Sequence, residues 1–428
     1  MSKINELIAQ LCPDGVEYKT LGELGVFLGG LSGKKKDDFQ NGNAKFITYK
    51  NVFNNPALAI NVDDKVKIGA NEKQNTVQYG DVIFTGSSET PEECGMSSVL
   101  TQKTDEKLYL NSFCMIYRLN DPNMFLPDFL KHLFRSDSMR AQIVKTANGT
   151  TRFNVSKEKM KSVVLPVPPL EVQREIVHIL DRFTLLTAEL TAELTARRQQ
   201  YEYYRDRLLS RSNTVASVPL SELAEFTYGY TDTAKEEGDT RFIRITDITD
   251  DGCLSPHNAK YISLSEDSRK YLLRKGDLLL ARTGATYGKT LYYPSDEQAV
   301  YASFLIKITL DNSRILNRYY WHFSKSNLYW KQAKKLVSKG GQQQFNANAV
   351  ERIVVPVPSL DVQERIIHVL DNFDAICTDL KIGLPAEIEA RKKQYEFYRD
   401  LLLTFAETGA IISDRQTDRQ TDRQTDRR

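Results

Sequence analysis

Gly284-Ala-Thr-Tyr-Gly288-Lys289-Thr290 holds the residue types of a phosphate-binding loop, with glycines, a lysine and a hydroxyl in order. The spacing is short by one residue, so the run of backbone amides that would wrap the phosphates is incomplete. Gly29-Gly-Leu-Ser-Gly33-Lys34 fails in the same way, and both segments read as turns. Pro13-Asp14 with Glu17-Tyr-Lys19 imitates a nuclease carboxylate set, but so short a gap cannot place metal-binding carboxylates on adjacent strands. The histidines do not fall at ligand spacing with cysteines or carboxylates, which argues against a metal site. His178 and His368 occupy equivalent places in two repeated segments, which favours a structural role. There is no Gly-x-Ser-x-Gly nucleophile elbow and no Pro-Pro-Tyr segment of the base-methylating kind. We expect no catalytic residue, no metal and no cofactor in this chain.

The chemistry that remains is recognition. Thr85-Gly-Ser87-Ser88 and Arg282-Thr283-Gly-Ala-Thr286, the latter with Lys289, each follow a strand that begins at a Gly-Asp pair. Asn148-Gly-Thr150-Thr151-Arg152-Phe-Asn154 and Lys339-Gly-Gly-Gln342-Gln343-Gln344-Phe-Asn346 each precede a Pro-Val-Pro segment. Glycine allows close backbone approach, arginine suits guanine, glutamine or asparagine suits adenine, and Ser, Thr and Lys suit phosphate. Basic clusters at Lys34, Lys35 and Lys36 and at Lys334 and Lys335 add a phosphate footprint. Taken singly, each loop reads more readily as a solvated turn. Their recurrence at equivalent places brings a nucleic-acid surface level with that reading.

The elements that must position these loops are duplicated. VVLPVPPLEVQREIVHILDRF at 163–183 and IVVPVPSLDVQERIIHVLDNF at 353–373 are identical at 12 of 21 positions. RRQQYEYYRDRLL at 197–209 and RKKQYEFYRDLLL at 391–403 are identical at 9 of 13. A unit of about 190 residues is far longer than a solenoid repeat and reads as two copies of a domain followed by a helix. Short apolar runs between Gly, Asn and Asp turns predict strands from Tyr18 to about 160, with a helix from Leu126 to Thr146. Residues 218–350 repeat that order: Leu21-Gly-Glu-Leu24 answers Leu220-Ser-Glu-Leu223, and Phe153-Asn154 is matched to Phe345-Asn346.

Each domain leads into a seam of apolar residues at steps of three and four, a helix of the coiled-coil type. The first seam includes Val172, Ile176, Phe183, Leu190, Leu194 and Tyr201; the second includes Val362, Ile366, Phe373, Leu380 and Tyr395. Gly383 and Pro385 should kink or break the second helix. The economical arrangement is two antiparallel rods packed on each other in a pseudo-twofold, with one globular domain at each end. The first rod holds the tandem Thr187-Ala-Glu-Leu190-Thr191-Ala-Glu-Leu194, each copy worth roughly 6 Å of helix. The fold class is α+β: two mixed α/β domains separated by a helical spacer. The boundaries are 1–160 and 213–350 for the domains, 161–212 and 351–408 for the helical segments, and 409–428 for an Asp-Arg-Gln-Thr tail expected to be disordered.

Bulk properties agree. The formal net charge of +2 excludes a histone-like binder and leaves room for local basic faces and for protein partners. Cys12, Cys94, Cys114, Cys253 and Cys377 are scattered, which fits a reducing compartment rather than a disulfide framework. No signal-peptide pattern and no apolar run of about 18 residues is present. A cytoplasmic protein is expected.

The duplicated (V/I)V(L/V)PVP-x-L-x-VQ segments at 163–173 and 353–363, the R-x-x-QYE-(Y/F)-YRD segments at 197–206 and 391–400 and the Thr-Ala-Glu-Leu tandem resemble one family: the specificity subunits of type I restriction–modification systems, the type IC branch in particular. The resemblance covers nearly the whole chain. It implies two target recognition domains, each reading one half of a split asymmetric DNA site, with helices that set the spacer and dock two methylation subunits. Those partners would bring S-adenosylmethionine, and restriction subunits reached through them would bring ATP and magnesium. Segment 282–290 matches a strand-turn frequent in the family; Thr85-Gly86-Ser87 departs from it. The competing reading is a coiled-coil adaptor that binds only proteins, which accounts for the rods but not for the paired polar loops.

Overall fold

The structure, a computed structural model, describes residues 2–210, 215–337, 344–379 and 382–405. Gln342, Gln343, Leu380 and the Asp-Arg-Gln-Thr tail lie outside the described residues. Contacts divide the chain into two units, Met1–Glu189 with Glu389–Arg428, and Leu190–Ile388.

The first unit is built on an antiparallel sheet in the order Gly25–Gly29, Cys114–Leu119, Val82–Thr85, Ser97–Val99. Its central strands are Val-, Ile- and Phe-rich and buried on both faces, as strands covered on two sides must be. A second sheet runs Lys65–Val66, Ala44–Ile47, Leu108–Leu110, Thr76–Val77, and its middle pair is parallel. The Gly-Asp pair noted in sequence has a local cause. Gly80 adopts φ 86°, and the Asp81 carboxylate accepts the Gln78 N–H at 2.7 Å while Arg118 closes on both its oxygens at 2.8 and 2.7 Å. The second unit repeats the device with Gly276 at φ 92°, Asp277 accepting from Arg274 N–H at 2.8 Å, and Lys307 at 2.6 Å.

The second unit has the matching antiparallel sheet, Ala224–Tyr228, Leu305–Leu310, Leu278–Ala281, Thr290–Tyr292. Its smaller sheet again contains a parallel pair, Thr240–Ile243 with Ala299–Tyr301. In each unit a two-stranded ribbon joins the start of the domain to the Pro-Val-Pro segment: Glu17–Thr20 with Val164–Val167, and Ser217–Pro219 with Val354–Pro356. Proline cannot donate to a ladder, so these prolines sit on ribbons two strands wide.

The helix expected over 126–146 is two helices, Pro127–Leu133 and Asp137–Val144. Ser136 stands at the break; its buried hydroxyl donates to Leu133 O at 2.7 Å and satisfies the end of one helix as the next begins. Ser326 does the same between Asn317–Ser324 and Asn327–Leu336, donating to Phe323 O at 2.6 Å. The first long helix, Leu170–Ser210, is continuous over 41 residues. The second, Leu360–Thr378, stops before Gly383, and a third follows at Leu384–Leu403, as the Gly-Leu-Pro sequence requires. Among the described residues no helix is long and apolar enough to cross a membrane.

Candidate nucleic-acid interface

The candidate loops sit on domains that are locked to helices, and the lock accounts for the repeated motifs residue by residue. In the first unit, Asp181 of the first long helix lies 2.7 Å from Nε2 of His132. A carboxylate only accepts, so the ring proton belongs on Nε2, and Nδ1 accepts from the Tyr395 hydroxyl at 2.8 Å. Burial pushes the pKa of His132 down, against the raising pull of Asp181, and the imidazole is neutral. Burial alone would raise Asp181; hydrogen bonds from His132 and Lys131 outweigh it and hold the carboxyl below its usual range. Burial pushes the Tyr395 hydroxyl up to about 12, which keeps it a donor.

Further contacts complete this lock. Phe183 stacks on Tyr398 at 5.2 Å between centroids. Asp400 accepts the N–H of Asp137 at 2.8 Å, placing a carboxylate at the start of the helix Asp137–Val144. Arg399 joins Asp400 and Asp137 at 2.8 and 3.0 Å. Gln173, fully buried, accepts from Leu126 N–H at 2.8 Å and donates to Met124 O and Pro168 O at 3.0 and 2.8 Å. Tyr18, opposite Pro166 in its ribbon, donates to Phe405 O at 2.9 Å, so residues 389–405 run antiparallel to 170–189.

The second unit repeats the set. His322 Nε2 lies 2.7 Å from Asp371, and Nδ1 lies 3.1 Å from the Tyr201 hydroxyl. Tyr204 stacks on Phe373 at 5.6 Å, and Asp206 accepts from Asn327 N–H at 3.0 Å. Gln363 accepts from Leu316 N–H at 2.9 Å and donates to Arg314 O and Pro358 O, both at 2.9 Å. Arg318 supplies the cation beside Asp371, at 2.8 Å. In the QYE-(Y/F)-YRD segment, therefore, the first Tyr goes to a histidine, the last Tyr to a phenylalanine, and the Asp to a helix start. Sequence reasoning missed His132 and His322. Their separation equals that of the Pro-Val-Pro segments, and that shared offset was the available signal. His178 and His368 are exposed on the helices.

Among the seam residues, Val172, Ile176, Leu190, Tyr201 and Ile366 are buried, and Phe183, Leu194, Phe373 and Tyr395 are half-buried. Val362 is corrected: it is 40% exposed, whereas its counterpart Val172 is fully buried.

On the candidate face of the first unit, Thr150, Thr151 and Arg152 are exposed in the loop between the short strands Ala147–Asn148 and Phe153–Val155. Arg152 donates to the Ser87 hydroxyl at 3.3 and 3.1 Å and lies 5.6 Å over the ring of Phe113, itself 58% exposed. Thr85 is corrected to a scaffold residue: it is fully buried, and its hydroxyl accepts from Met96 N–H at 2.9 Å. Lys34 is likewise turned inward, bonded to Glu72 and to Lys67 O, each at 2.6 Å, while Lys35 and Lys36 are exposed.

In the second unit Arg282 lies 5.3 Å over Tyr228 and 5.5 Å over Phe304, and its Nε donates to Ser303 O at 3.0 Å. Phe113 and Phe304 hold equivalent positions at the starts of the strands Cys114–Leu119 and Leu305–Leu310. An exposed aromatic ring faced by a guanidinium thus occurs in both units, with the arginine drawn from a different loop in each. Thr283 is buried and bridges to exposed Gln344. Thr286 is half-buried over Thr283 O. Lys289 pairs with Asp250 and lines a cavity of about 310 Å³ with Tyr201, Arg205 and Lys325, whose lining does not include Arg282.

The match of Phe153-Asn154 to Phe345-Asn346 is out by two residues. Val155 N–H and Phe345 N–H donate to Gly86 O and Arg282 O, and Ser156 and Asn346 cap the helices that follow. The true counterpart of Asn154 is Gln344, paired with Thr283 as Asn154 is with Ser87. A two-residue slip keeps every side chain on its own face of a strand, so the apolar pattern alone could not expose it.

Residues 13–197 and 213–390 match the family described as the type I restriction modification DNA specificity domain. A Haemophilus influenzae protein named as a type I restriction enzyme specificity subunit is 34% identical over 275 residues, covering 60% of this chain and 68% of the relative. The specificity subunit of an Escherichia coli type I restriction enzyme is 34% identical over 268 residues, covering 59% of this chain and 65% of the relative. A solved structure reported for the assembly and conformational transition of a type I restriction–modification system shares the fold, with TM-score 0.62 at 18% identity, covering 91% of this chain and 97% of that one.

Proposed function

The chain belongs to the type I restriction modification DNA specificity family, and from that membership we propose that it is the sequence-reading, non-catalytic subunit of such a complex. Each domain, 1–160 and 213–350, reads one half of a bipartite asymmetric site. The helical segments 161–212 and 351–408 set the interval between the halves and dock two methylation subunits. S-adenosylmethionine, ATP and magnesium belong to partner subunits, and the assembly works in the cytoplasm. The observation that carries this reading is the contrast inside the repeat. The Tyr-His-Asp lock is the same in both units, while the arginine over the exposed ring comes from different loops. A scaffold kept constant under divergent polar loops suits two readers of unlike sequences.

The test is methylation of a random-sequence DNA pool by the complex reconstituted with its methylation subunits, followed by base-resolution mapping. A two-part motif with a fixed gap is expected; methylation without one would favour the protein-only adaptor. A third Thr-Ala-Glu-Leu copy inserted after Leu194 should widen the gap by about two base pairs, since roughly 6 Å of helix meets 3.4 Å per pair. An unchanged gap would remove the spacer role.

A further inference from the structure

On the first unit an open depression of about 470 Å³ joins residues from four separate segments. Tyr49 and Phe53 form one wall, stacked at 6.0 Å and nearly parallel. Phe113 with Arg152 forms the other, and Lys50 and Glu89 also line it. None of Tyr49, Lys50, Phe53, Glu89 or Phe113 was marked by the sequence motifs.

The charges here differ from an ordinary phosphate footprint. Glu93 accepts from the Ser88 hydroxyl at 3.0 Å, and among the described residues Glu89 and Lys50 have no ion-pair or hydrogen-bond partner. An uncommitted carboxylate on a surface that meets DNA repels the backbone. It is favourable there only against a base edge that offers a donor, and cytosine N4 is such an edge. Guanine, paired with that cytosine, offers O6 and N7 in the same groove and is the usual target of arginine. Arg152 is preset for this task. Two of its nitrogens are held by Ser87 and its plane lies over Phe113, so little side-chain freedom is lost on binding. Lys50 supplies a cation for a flanking phosphate.

We propose that this depression reads a single C·G base pair of the half-site, with Glu89 accepting from cytosine and Arg152 donating to its guanine. Among the described residues the second unit shows no such pairing of charges: its equivalent ring, Phe304, is faced by Arg282, which also lies over Tyr228, and Gln344 pairs with the adjacent Thr283. The inference rests on the DNA-reading function proposed above.

The reconstituted methylation complex carrying Glu89→Gln, Arg152→Ala or Arg152→Lys is mapped on the random pool beside the parent. All three changes fall on exposed side chains, so assembly is retained. Glu89→Gln and Arg152→Ala should relax the same base pair, each by about 10- to 100-fold in discrimination, with the other half-site unchanged. Arg152→Lys should lose most of the guanine preference, because a lysine cannot form the bidentate pair. Relaxation at two different positions, or an unaltered motif, overturns the C·G assignment while leaving the bipartite reading in place. A parent complex with no two-part motif overturns that reading instead.

Discussion

The two units hold their helices by the same atoms and cover them differently. His132 and His322, Gln173 and Gln363, Phe183 and Phe373 each make the same contact in each unit. Yet Val172 is buried and Val362 exposed, although they are the same residue at the same repeat position. The first unit has an extra element, the amphipathic helix Ser2–Leu11. Its Ile4 belongs to the same apolar core as Val172 and Ile176, and its Lys3 pairs with Glu175 at 2.6 Å. The counterpart of Glu175 is Arg365, so the second unit lacks the acid that would receive such a lysine. Duplication preserved the lock, and burial at a given repeat position is then decided by whatever else the chain lays over it.

The sharpest way to break that comparison is a charge at the two valines. Val172→Asp should cost several kcal/mol, because it buries an unpaired carboxylate. Val362→Asp should stay within about 0.5 kcal/mol, as surface changes do. Urea unfolding of the two variants measures the contrast, and equal losses would show that the second valine is covered as well.

Gln173→Leu and Gln363→Leu should instead agree with each other. Each strips one N–H and two carbonyls of their partner, at about 1–3 kcal/mol per buried group. A loss of roughly 3–5 kcal/mol in either unit is expected by the same measurement. A large loss in one and none in the other would mean that the shared hydrogen-bond pattern does not carry shared energy. At the reading face the expectation reverses. Arg282→Ala should relax only the half-site read by the second unit, by about 1–3 kcal/mol in base discrimination, seen as degeneracy at one position of the mapped motif. Matching degeneracy in both halves would contradict modular reading.

The helical framework was legible in sequence because its signals are local and repeated: apolar steps of three and four, Pro-Val-Pro before each long helix, Gly-Leu-Pro at the break. The helix boundary at Ser136 was not, because the apolar spacing runs through it while the Ser136 N–H and hydroxyl both donate to Leu133 O and close the first helix. Burial of Thr85 and Lys34 was hidden for a related reason. A polar residue in a glycine-rich stretch looks exposed until its partners, Met96 N–H and Glu72, are brought from elsewhere in the chain. The site was invisible because Tyr49 and Phe53, on one short helix, meet Phe113 and Arg152 from distant segments only in the folded domain.

The smallest effect concerns pH, and it should be common to both units. His132 and His322 have pKa values lowered by burial, so the folded chain resists protonating them where the unfolded chain, near 6.5, accepts. Below about pH 6.5 the unfolded state therefore binds more protons, and stability falls as pH falls toward the folded values. Asp181 and Asp371 act in the same direction at lower pH. Burial raises both carboxyls, but their hydrogen bonds bring them below the usual range, so their contribution is lost as they protonate. Lys131 and Arg318 face the same carboxylates. Burial pulls Lys131 down, but its hydrogen bonds to Asp128 and Asp181 raise it above its usual value, so it adds no slope of its own in this window. The melting temperature should drop between pH 7 and pH 5, and His132→Gln and His322→Gln should each flatten that drop by a similar fraction. If one substitution flattens it and the other does not, the two imidazoles do not share a protonation state, and the equivalence of the two locks ends at geometry.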